Sequence, residues 1–292
     1  MNIASVYRMF PTESDCITHL ENVRWGSQPR CPYCNSIKVT PVEKEQRHHC
    51  NNCNTSFSVT VGTIFHQTHV PLQKWFLAIS LVINAKKGIS ARQLGRDLEV
   101  NKDTAWRMAM KIRDAMTERG QRELLTGVVE MDETYIGGKP RKCKPGEKAK
   151  RGRGTSKTPV VGMVERNGRV RAKPMKKGDL KLKKLSALVR KNVDTSNAVL
   201  ITDEYKGYLG ISKFMEHKTV NHQVWYVSSG GIHTNTIESF WALLKRGVVG
   251  QYHKVSFRYL PKYVDEFCYR FNNRKNDNIF GCVLQRAVGG FQ

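Results

Sequence analysis

Three acidic residues occupy positions that metal-dependent chemistry requires. Asp132 interrupts an apolar, β-like run at residues 127–136, and Asp203 ends a second such run at residues 198–203. Glu238 opens a predicted helix. Mg²⁺ prefers carboxylate oxygens, and two such ions can clamp the attacking and leaving oxygens of a phosphodiester exchange. The three acids therefore predict a two-metal site, with solvated strand-end and helix-cap acids as the simpler alternative.

Each of the two aspartates is followed directly by a glutamate, Glu133 or Glu204. Neighbouring side chains of an extended backbone point to opposite sides. We therefore predict that Asp132 and Asp203 face the site and that both glutamates face away. A bulge at either strand end would reverse that choice.

The predicted helix also carries a basic residue at a suitable spacing. Lys245 lies two helical turns beyond Glu238, so both side chains project from one face. One end of this face would hold a metal ion and the other would meet a phosphate.

Two C-x₂-C pairs near the N-terminus predict a zinc site. The four cysteines are Cys31, Cys34, Cys50 and Cys53. Two such pairs across a short hairpin are typical of a tetrahedral Cys₄ zinc ribbon, whereas redox or incidental pairing is the alternative. Because four thiolates leave no open coordination position, the predicted Zn²⁺ is structural. His48 and His49 precede Cys50 and are alternative ligands.

The formal net charge of +24 over 292 residues points to a polyanionic partner. Basic residues are concentrated between Lys139 and Lys191. Charge alone does not separate DNA from RNA or an acidic membrane. No apolar stretch reaches the roughly 20 residues of a membrane span, and the first residues lack the apolar core of a signal peptide. We expect a cytoplasmic protein without membrane contact.

Two short helical patterns around a tight turn, residues 89–98 and 102–113, predict a helix-turn-helix. A plain three-helix packing unit explains the same pattern. In the helix-turn-helix interpretation, the second helix faces DNA. The side chains expected there are Lys102, Thr104, Arg107 and Lys111.

Three predicted domains follow: a zinc ribbon at residues 1–66, a helix-turn-helix segment at 67–126 and an α/β domain at 127–292. In the third, a strand ending near Ile136 precedes a basic loop at 137–157, a hairpin, a helix, the strand that ends at Asp203 and a later helix. That order is the layout of a ribonuclease-H-like catalytic domain.

Several motifs occur together in one order. They are the Cys31–Cys53 ribbon followed by residues 62–65 and 71–75, then Met131–Lys139, Thr202–Tyr208, His233–Arg246 and Asp265–Arg274. By these motifs the chain resembles the DDE transposases of bacterial insertion sequences, specifically the zinc-ribbon-bearing ISXO-type group. The resemblance implies that Asp132, Asp203 and Glu238 are the catalytic acids and that Lys245 is their basic partner. Some relatives have asparagine in the third position, which keeps Asn235 as an alternative.

The resemblance implies an enzyme that binds insertion-sequence ends, cuts them with Mg²⁺ or Mn²⁺ and joins the freed 3′-hydroxyl to target DNA. Its partner would be double-stranded DNA, bound by a homodimer or higher assembly in the bacterial nucleoid. Lys245, Arg246 and the basic loop would neutralise phosphates, which gives affinity but no sequence information. A zinc-ribbon transcription regulator, a structure-specific nuclease of the same fold and an inactive transposase are the alternatives.

Overall fold

The computed structural model describes residues 1–118, 123–138, 155–220 and 233–289. The chain forms two compact units: Met1–Thr117 together with the segment from Lys275 onwards, and Glu118–Arg274. Most of the predicted basic loop 137–157 lies outside the described residues. Within those residues, no helix is both long and apolar enough to cross a membrane.

The first unit begins with two helices and a small sheet. The helices are α1 (Ile3–Met9) and α2 (Glu13–Trp25), and the antiparallel strands are β1 (Val39–Val42), β2 (Arg47–Cys50) and β3 (Thr55–Phe57). A capping box starts α2: the Thr12 hydroxyl accepts from the Asp15 amide, and the Asp15 carboxylate accepts from the Thr12 amide. The sheet places the two C-x₂-C pairs at one end of the ribbon.

Three further helices follow: α3 (Leu72–Asn84), α4 (Ala91–Leu98) and α5 (Lys102–Met116). Ser90 caps α4 by accepting a hydrogen bond from the Gln93 amide, 3.2 Å away. The turn into α5 passes through Glu99, whose φ is +52°. Gly95 permits this tight turn, because a Cβ there would lie 3.0 Å from the Val100 carbonyl oxygen. The predicted helix-turn-helix is formed.

The second unit is an α/β domain. Its strands are β4 (Leu125–Ile136), β5 (Thr158–Glu165), β6 (Val170–Pro174), β7 (Val193–Asp203) and β8 (Glu216–Val220), and its helices are α6 (Leu182–Asn192), α7 (Asn235–Gly247) and α8 (Leu260–Asn272). The strand order is β6-β5-β4-β7-β8. Antiparallel pairs join β4, β5 and β6, whereas β4, β7 and β8 run parallel. This is the predicted ribonuclease-H-like topology.

Strand alternation divides this sheet between two cores. On one face, Val129 and Met131 pack with Leu185 of α6. On the other, α7 and α8 cover Val160 and Val164 of β5. Residues of β4 therefore alternate between the α6 side and the α7 side, and this alternation decides where each acidic side chain of the strand points.

The C-terminal helix α9 (Ile279–Val288) differs from its predicted place in a 127–292 domain. It belongs to the first compact unit. Its Phe280 ring lies 5.9 Å from that of Phe76 in α3, and the Ile64 amide donates to the Ala287 carbonyl over 3.1 Å. An apolar helix face packs wherever a complementary surface exists, so its sequence neighbours do not determine its unit.

Candidate functional site

Strands β4 and β7 bring Asp132 and Asp203 together. The two strands pair in parallel up to Glu130 and Ile201. Each aspartate lies two residues beyond that pair, so both side chains lie on the α7 side of the sheet. This is the placement that the sequence pattern predicts for the two aspartates.

A third carboxylate completes this group. One oxygen each of Asp132, Glu133 and Asp203 lies within 4.8 Å of the others. Glu133 was predicted to face away from the aspartates, and it does lie on the α6 face, yet one of its oxygens still comes within this group. Because the β4–β7 pairing ends at Glu130, the sheet opens there, and a side chain from the α6 face reaches the same gap. Glu204, in contrast, is exposed and not part of this group.

Hydrogen bonds orient each of these acids. Asp203 Oδ1 accepts from the Tyr205 amide at 3.1 Å. Glu133 Oε2 accepts from the Tyr208 hydroxyl at 2.6 Å. Burial, helped by the charge of Glu133, raises the pKa of Tyr208 well above its usual value, so this phenol stays a neutral donor.

The protonation of Asp132 is strongly perturbed. Burial, followed by the negative charges of Glu133 and Asp203, raises the pKa of Asp132 from 3.8 to about 7. Clustered carboxylates repel one another when all are ionised. A divalent cation bound among them would remove that repulsion, and the all-oxygen donor set fits Mg²⁺ or Mn²⁺.

Helix α7 contacts this acidic group through Trp241. The indole Nε1 donates to Asp132 Oδ2 at 3.1 Å. Gly162 of β5, which pairs with Asp132, makes room for the ring, because a Cβ there would lie 2.5 Å from Trp241 Cη2. The glycine and the tryptophan together allow α7 to approach the strand that carries the acids.

The other predicted residues of α7 lie on its exposed surface. Glu238 is exposed, and its Oε1 accepts from the Thr234 hydroxyl at 3.0 Å. Lys245 and Arg246 are also exposed, as is Asn235 at the first helical position. The helix is continuous from Asn235 to Gly247, which preserves the seven-residue spacing of Glu238 and Lys245. Glu238 does not belong to the close group of three acids.

The four predicted zinc ligands converge within the ribbon. Their ligand atoms lie within 4.8 Å of one another. The Sγ atoms of Cys31 and Cys53 are 3.6 Å apart, and those of Cys34 and Cys50 are 3.5 Å apart. A tetrahedron with Zn–S bonds of about 2.3 Å has edges of about 3.8 Å, so the cysteines fit Zn²⁺ closely.

Both histidines that precede Cys50 are engaged elsewhere. His48 Nε2 lies 2.8 Å from Glu21 Oε1, and His49 Nε2 lies 3.1 Å from Asn54 Oδ1. A hydrogen bond from the Cys53 backbone amide lowers the pKa of the Cys50 thiol to about 6. Burial and the neighbouring cysteines raise the pKa of the Cys53 thiol to about 11, so the thiols are not equally acidic without the ion. Four sulfur ligands complete a tetrahedral zinc site without a histidine.

The predicted DNA-facing residues of α5 are not equivalent. Lys102 and Arg107 are exposed, and Thr104 is half-buried. Lys111 differs from its prediction: its Nζ donates to the His66 carbonyl at 3.4 Å and lies 5.9 Å from the Trp75 ring centre. Burial lowers its pKa. A long aliphatic stem lets lysine cross a packed surface, so this side chain stays within its own unit.

Comparison with protein families agrees with this architecture. The model of the ISXO2-like transposase domain matches residues 124–272, half of the chain. The chain belongs to the ISXO2-like transposase family. A transposase zinc-ribbon domain also matches residues 11–56, which contain the four cysteines.

This transposase family member is also similar to one curated protein and to several solved structures. It is 29% identical over 255 residues to an uncharacterized protein in transposable element ISH50 of Halobacterium salinarum, covering 82% of this chain and 84% of that protein. Among solved structures, the Mos1 strand transfer complex aligns with 13% identity over 73% of this chain and 78% of that chain, at a TM-score of 0.30. The mariner Mos1 paired end complex with Mg aligns with 13% identity over 72% of this chain and 77% of that chain, at a TM-score of 0.29.

Three contributors to the transposase site are missing from the residues predicted by sequence. They are Glu133, Tyr208 and Trp241. The signal for Glu133 was present, because it adjoins Asp132, but the alternation rule excluded it. Trp241 lies one helical turn beyond Glu238, a spacing that places both on one side of α7.

Proposed function

We propose that this transposase family member binds the ends of an insertion sequence, cleaves them and joins them to target DNA. One observation carries the proposal. Asp132 lies within β4 and Asp203 ends β7, each two residues beyond the last pair of these adjacent parallel strands, on the side of the sheet that faces α7, the helix of Glu238 and Lys245. Carboxylates so arranged suit phosphoryl transfer, in which positioning and charge neutralisation do most of the work.

The acidic residues would hold Mg²⁺ or Mn²⁺. Asp132 and Asp203 are the shared ligands in this proposal, while Glu133 and Glu238 are the two candidates for completing the coordination. The bound cation supplies Lewis-acid polarisation of the scissile phosphate and lowers the pKa of the attacking hydroxyl group. Each of the two glutamates has its own hydrogen-bond partner, Tyr208 or Thr234, that orients it.

Cleavage and joining use one type of displacement. In cleavage, a water oxygen attacks the phosphorus at the element end and the 3′-oxygen leaves as a hydroxyl. In joining, that 3′-hydroxyl attacks a target phosphorus and displaces the target's own 3′-oxygen. Each attacking group loses one proton and each leaving oxygen gains one. No serine or tyrosine nucleophile is needed, because neither step passes through a covalent protein intermediate.

Basic side chains would hold the DNA. Lys245 and Arg246 are exposed on α7 and would neutralise phosphates. Lys102, Thr104 and Arg107 at the start of α5 would read the element end, since the first residues of a recognition helix contact base edges. Joining two ends implies at least two copies of the chain on the DNA.

An assay with a labelled element end and Mg²⁺ tests this function. A transposase cuts the end and joins it to target DNA. A structure-specific nuclease cuts without joining, whereas a zinc-ribbon regulator binds and does neither. Joining of a pre-cut end supports the proposal most strongly, because neither alternative performs it. An inactive relic would bind ends without reacting.

A further inference from the structure

A fourth acid of the same strand, Glu130, is fully buried and lies outside the predicted site. It precedes Asp132 by two residues and faces the same side of β4. Its Oε2 accepts from the Thr236 amide at 2.9 Å and from the Ile237 amide at 3.0 Å. Its Oε1 accepts from the Thr236 hydroxyl at 3.0 Å. Glu130 thus binds the first turn of α7.

The charge of Glu130 is matched by a basic residue from the β5–β6 turn. Arg166 Nε lies 2.8 Å from Glu130 Oε1. The same guanidinium donates through Nη2 to the His233 carbonyl at 2.9 Å, just before α7. An ionised carboxylate is tolerated in a protein interior only when it is paired and hydrogen-bonded, and both conditions are met here.

Glu130 replaces a local cap of α7. The N-cap residue Thr234 makes no side-chain cap, and its hydroxyl donates to Glu238 instead. The free amides at a helix start normally bind a cap residue of the same segment. In α7 the carboxylate of a neighbouring strand takes two of them, which leaves Thr234 available to hold Glu238.

We propose that Glu130 is a positioning residue that fixes α7 on β4 and thereby sets the position of Glu238 relative to Asp132. Two acids of this strand bind the helix: Glu130 binds residues 236 and 237, and Asp132 binds Trp241. Glu238 lies between these two attachments. The inference rests on the proposed function, in which Glu238 completes the metal site.

Mn²⁺ binding, followed by electron paramagnetic resonance of the free ion, tests the inference without requiring catalysis. Glu130→Gln keeps the shape but removes the charge and one acceptor. Partners that orient metal ligands typically affect metal affinity by about 10–100-fold, so we expect Glu130→Gln to weaken Mn²⁺ binding by about tenfold. Glu165→Gln, the same change in β5 of the same sheet, should leave affinity unchanged.

Helix anchoring itself has an independent readout. Hydrogen exchange of a peptide covering residues 234–240 should accelerate in Glu130→Gln, because a neutral amide oxygen accepts more weakly from the Thr236 and Ile237 amides than a carboxylate does. Thr236→Val removes one hydroxyl bond and keeps both amides, so it should fold and show a smaller loss of Mn²⁺ affinity. If Glu130→Gln does not fold, the Mn²⁺ affinity of Thr236→Val tests the inference instead.

A double variant determines whether Glu130 acts through Glu238. In the Glu238→Gln background, Glu130→Gln or Thr236→Val should weaken Mn²⁺ binding no further. Equal weakening of Mn²⁺ binding in the wild-type and Glu238→Gln backgrounds overturns the inference. It is also overturned if Glu238→Gln weakens Mn²⁺ binding while Glu130→Gln and Thr236→Val both bind Mn²⁺ normally. Mn²⁺ binding that is unaffected by Asp132→Asn contradicts the metal site of the proposed function and the inference with it.

Discussion

The indole of Trp241 donates a hydrogen bond to Oδ2 of Asp132 over 3.1 Å, joining helix α7 to the strand that carries the acids. The contact is possible because Gly162, opposite Asp132 on β5, has no Cβ to obstruct the ring. A hydrogen bond favours the ionised carboxylate, whereas burial disfavours it more strongly. Asp132 is therefore oriented for ligation and still able to hold a proton near neutral pH.

The raised pKa of Asp132 predicts a pH dependence of stability. Its folded pKa of about 7 exceeds its ordinary value of 3.8, so the metal-free fold binds this proton more tightly than the unfolded chain. The resulting stabilisation is fully present below the ordinary value and is lost as pH rises through about 7. Mn²⁺ replaces the proton, so it should raise the melting temperature more at pH 8 than at pH 6.

Asp132→Asn is the variant that checks this prediction. Its metal-free melting temperature should vary less than that of the wild type between pH 4 and 7, the interval between the ordinary and the folded pKa of Asp132, because asparagine does not titrate. If Asp132→Asn shows the same dependence of melting temperature on pH as the wild type, another group is responsible for the titration.

The position of Glu133 near Asp132 and Asp203 predicts a role in metal binding, which alternation along β4 alone does not predict. Glu133→Gln should raise the Mn²⁺ concentration needed for half-maximal cleavage by about tenfold, since the variant removes one charge from the three-acid group. Tyr208→Phe should cause a smaller rise, because only the orienting hydroxyl is lost. The matched control is Glu204→Gln, an exposed acid at the corresponding position after Asp203. Equal effects of the two glutamine variants would contradict a specific role of Glu133.

The cysteine geometry predicts that zinc and folding of the ribbon are coupled. Cys50→Ser should bind no zinc and should expose residues 31–57 to proteolysis, because small metal modules fold with their ion. The α/β unit should keep its own melting transition. The control is Cys282→Ser, a cysteine outside the cluster. Bound zinc at wild-type stoichiometry in Cys50→Ser would exclude the Cys₄ site.

Arg107 and Lys111, two of the basic residues of α5, should respond differently to alanine substitution. Arg107→Ala should weaken binding to element ends more than binding to random duplex, because a good base contact gives about 1–3 kcal/mol of discrimination. Lys111→Ala should instead lower thermal stability, since the lysine packs against Trp75 and His66. Binding measured on both DNAs, alongside melting curves, separates the two effects. If Arg107→Ala loses the same binding affinity for element ends and for random duplex, Arg107 contacts phosphates and not bases.

Local patterns predicted much of the fold. The cysteine spacing predicted the ribbon, Ser90 predicted the start of α4, and the apolar runs predicted β4 and β7 with the aspartates where they lie. These features depend on residues close together in the chain, where periodicity and capping operate. The order of strands and helices was then enough to predict the ribonuclease-H-like sheet.

The features that sequence did not predict depend on contacts between distant segments. Glu133 reaches the acidic group because the β4–β7 pairing ends at Glu130, which no strand pattern records. Lys111 packs against α3, and α9 packs in the first unit through Phe280. A buried glutamate that caps a helix more than 100 residues away has no local sequence signature.

Strand transfer by the full-length protein tests the central claim most directly. A labelled, pre-cut element end with a free 3′-hydroxyl is incubated with target DNA and Mg²⁺. The wild type should join the two, and Asp203→Asn should bind the end normally but form no joined product, while Glu204→Gln retains joining. Joining by Asp203→Asn at the wild-type rate, or joining by the wild type without divalent metal, would contradict the account.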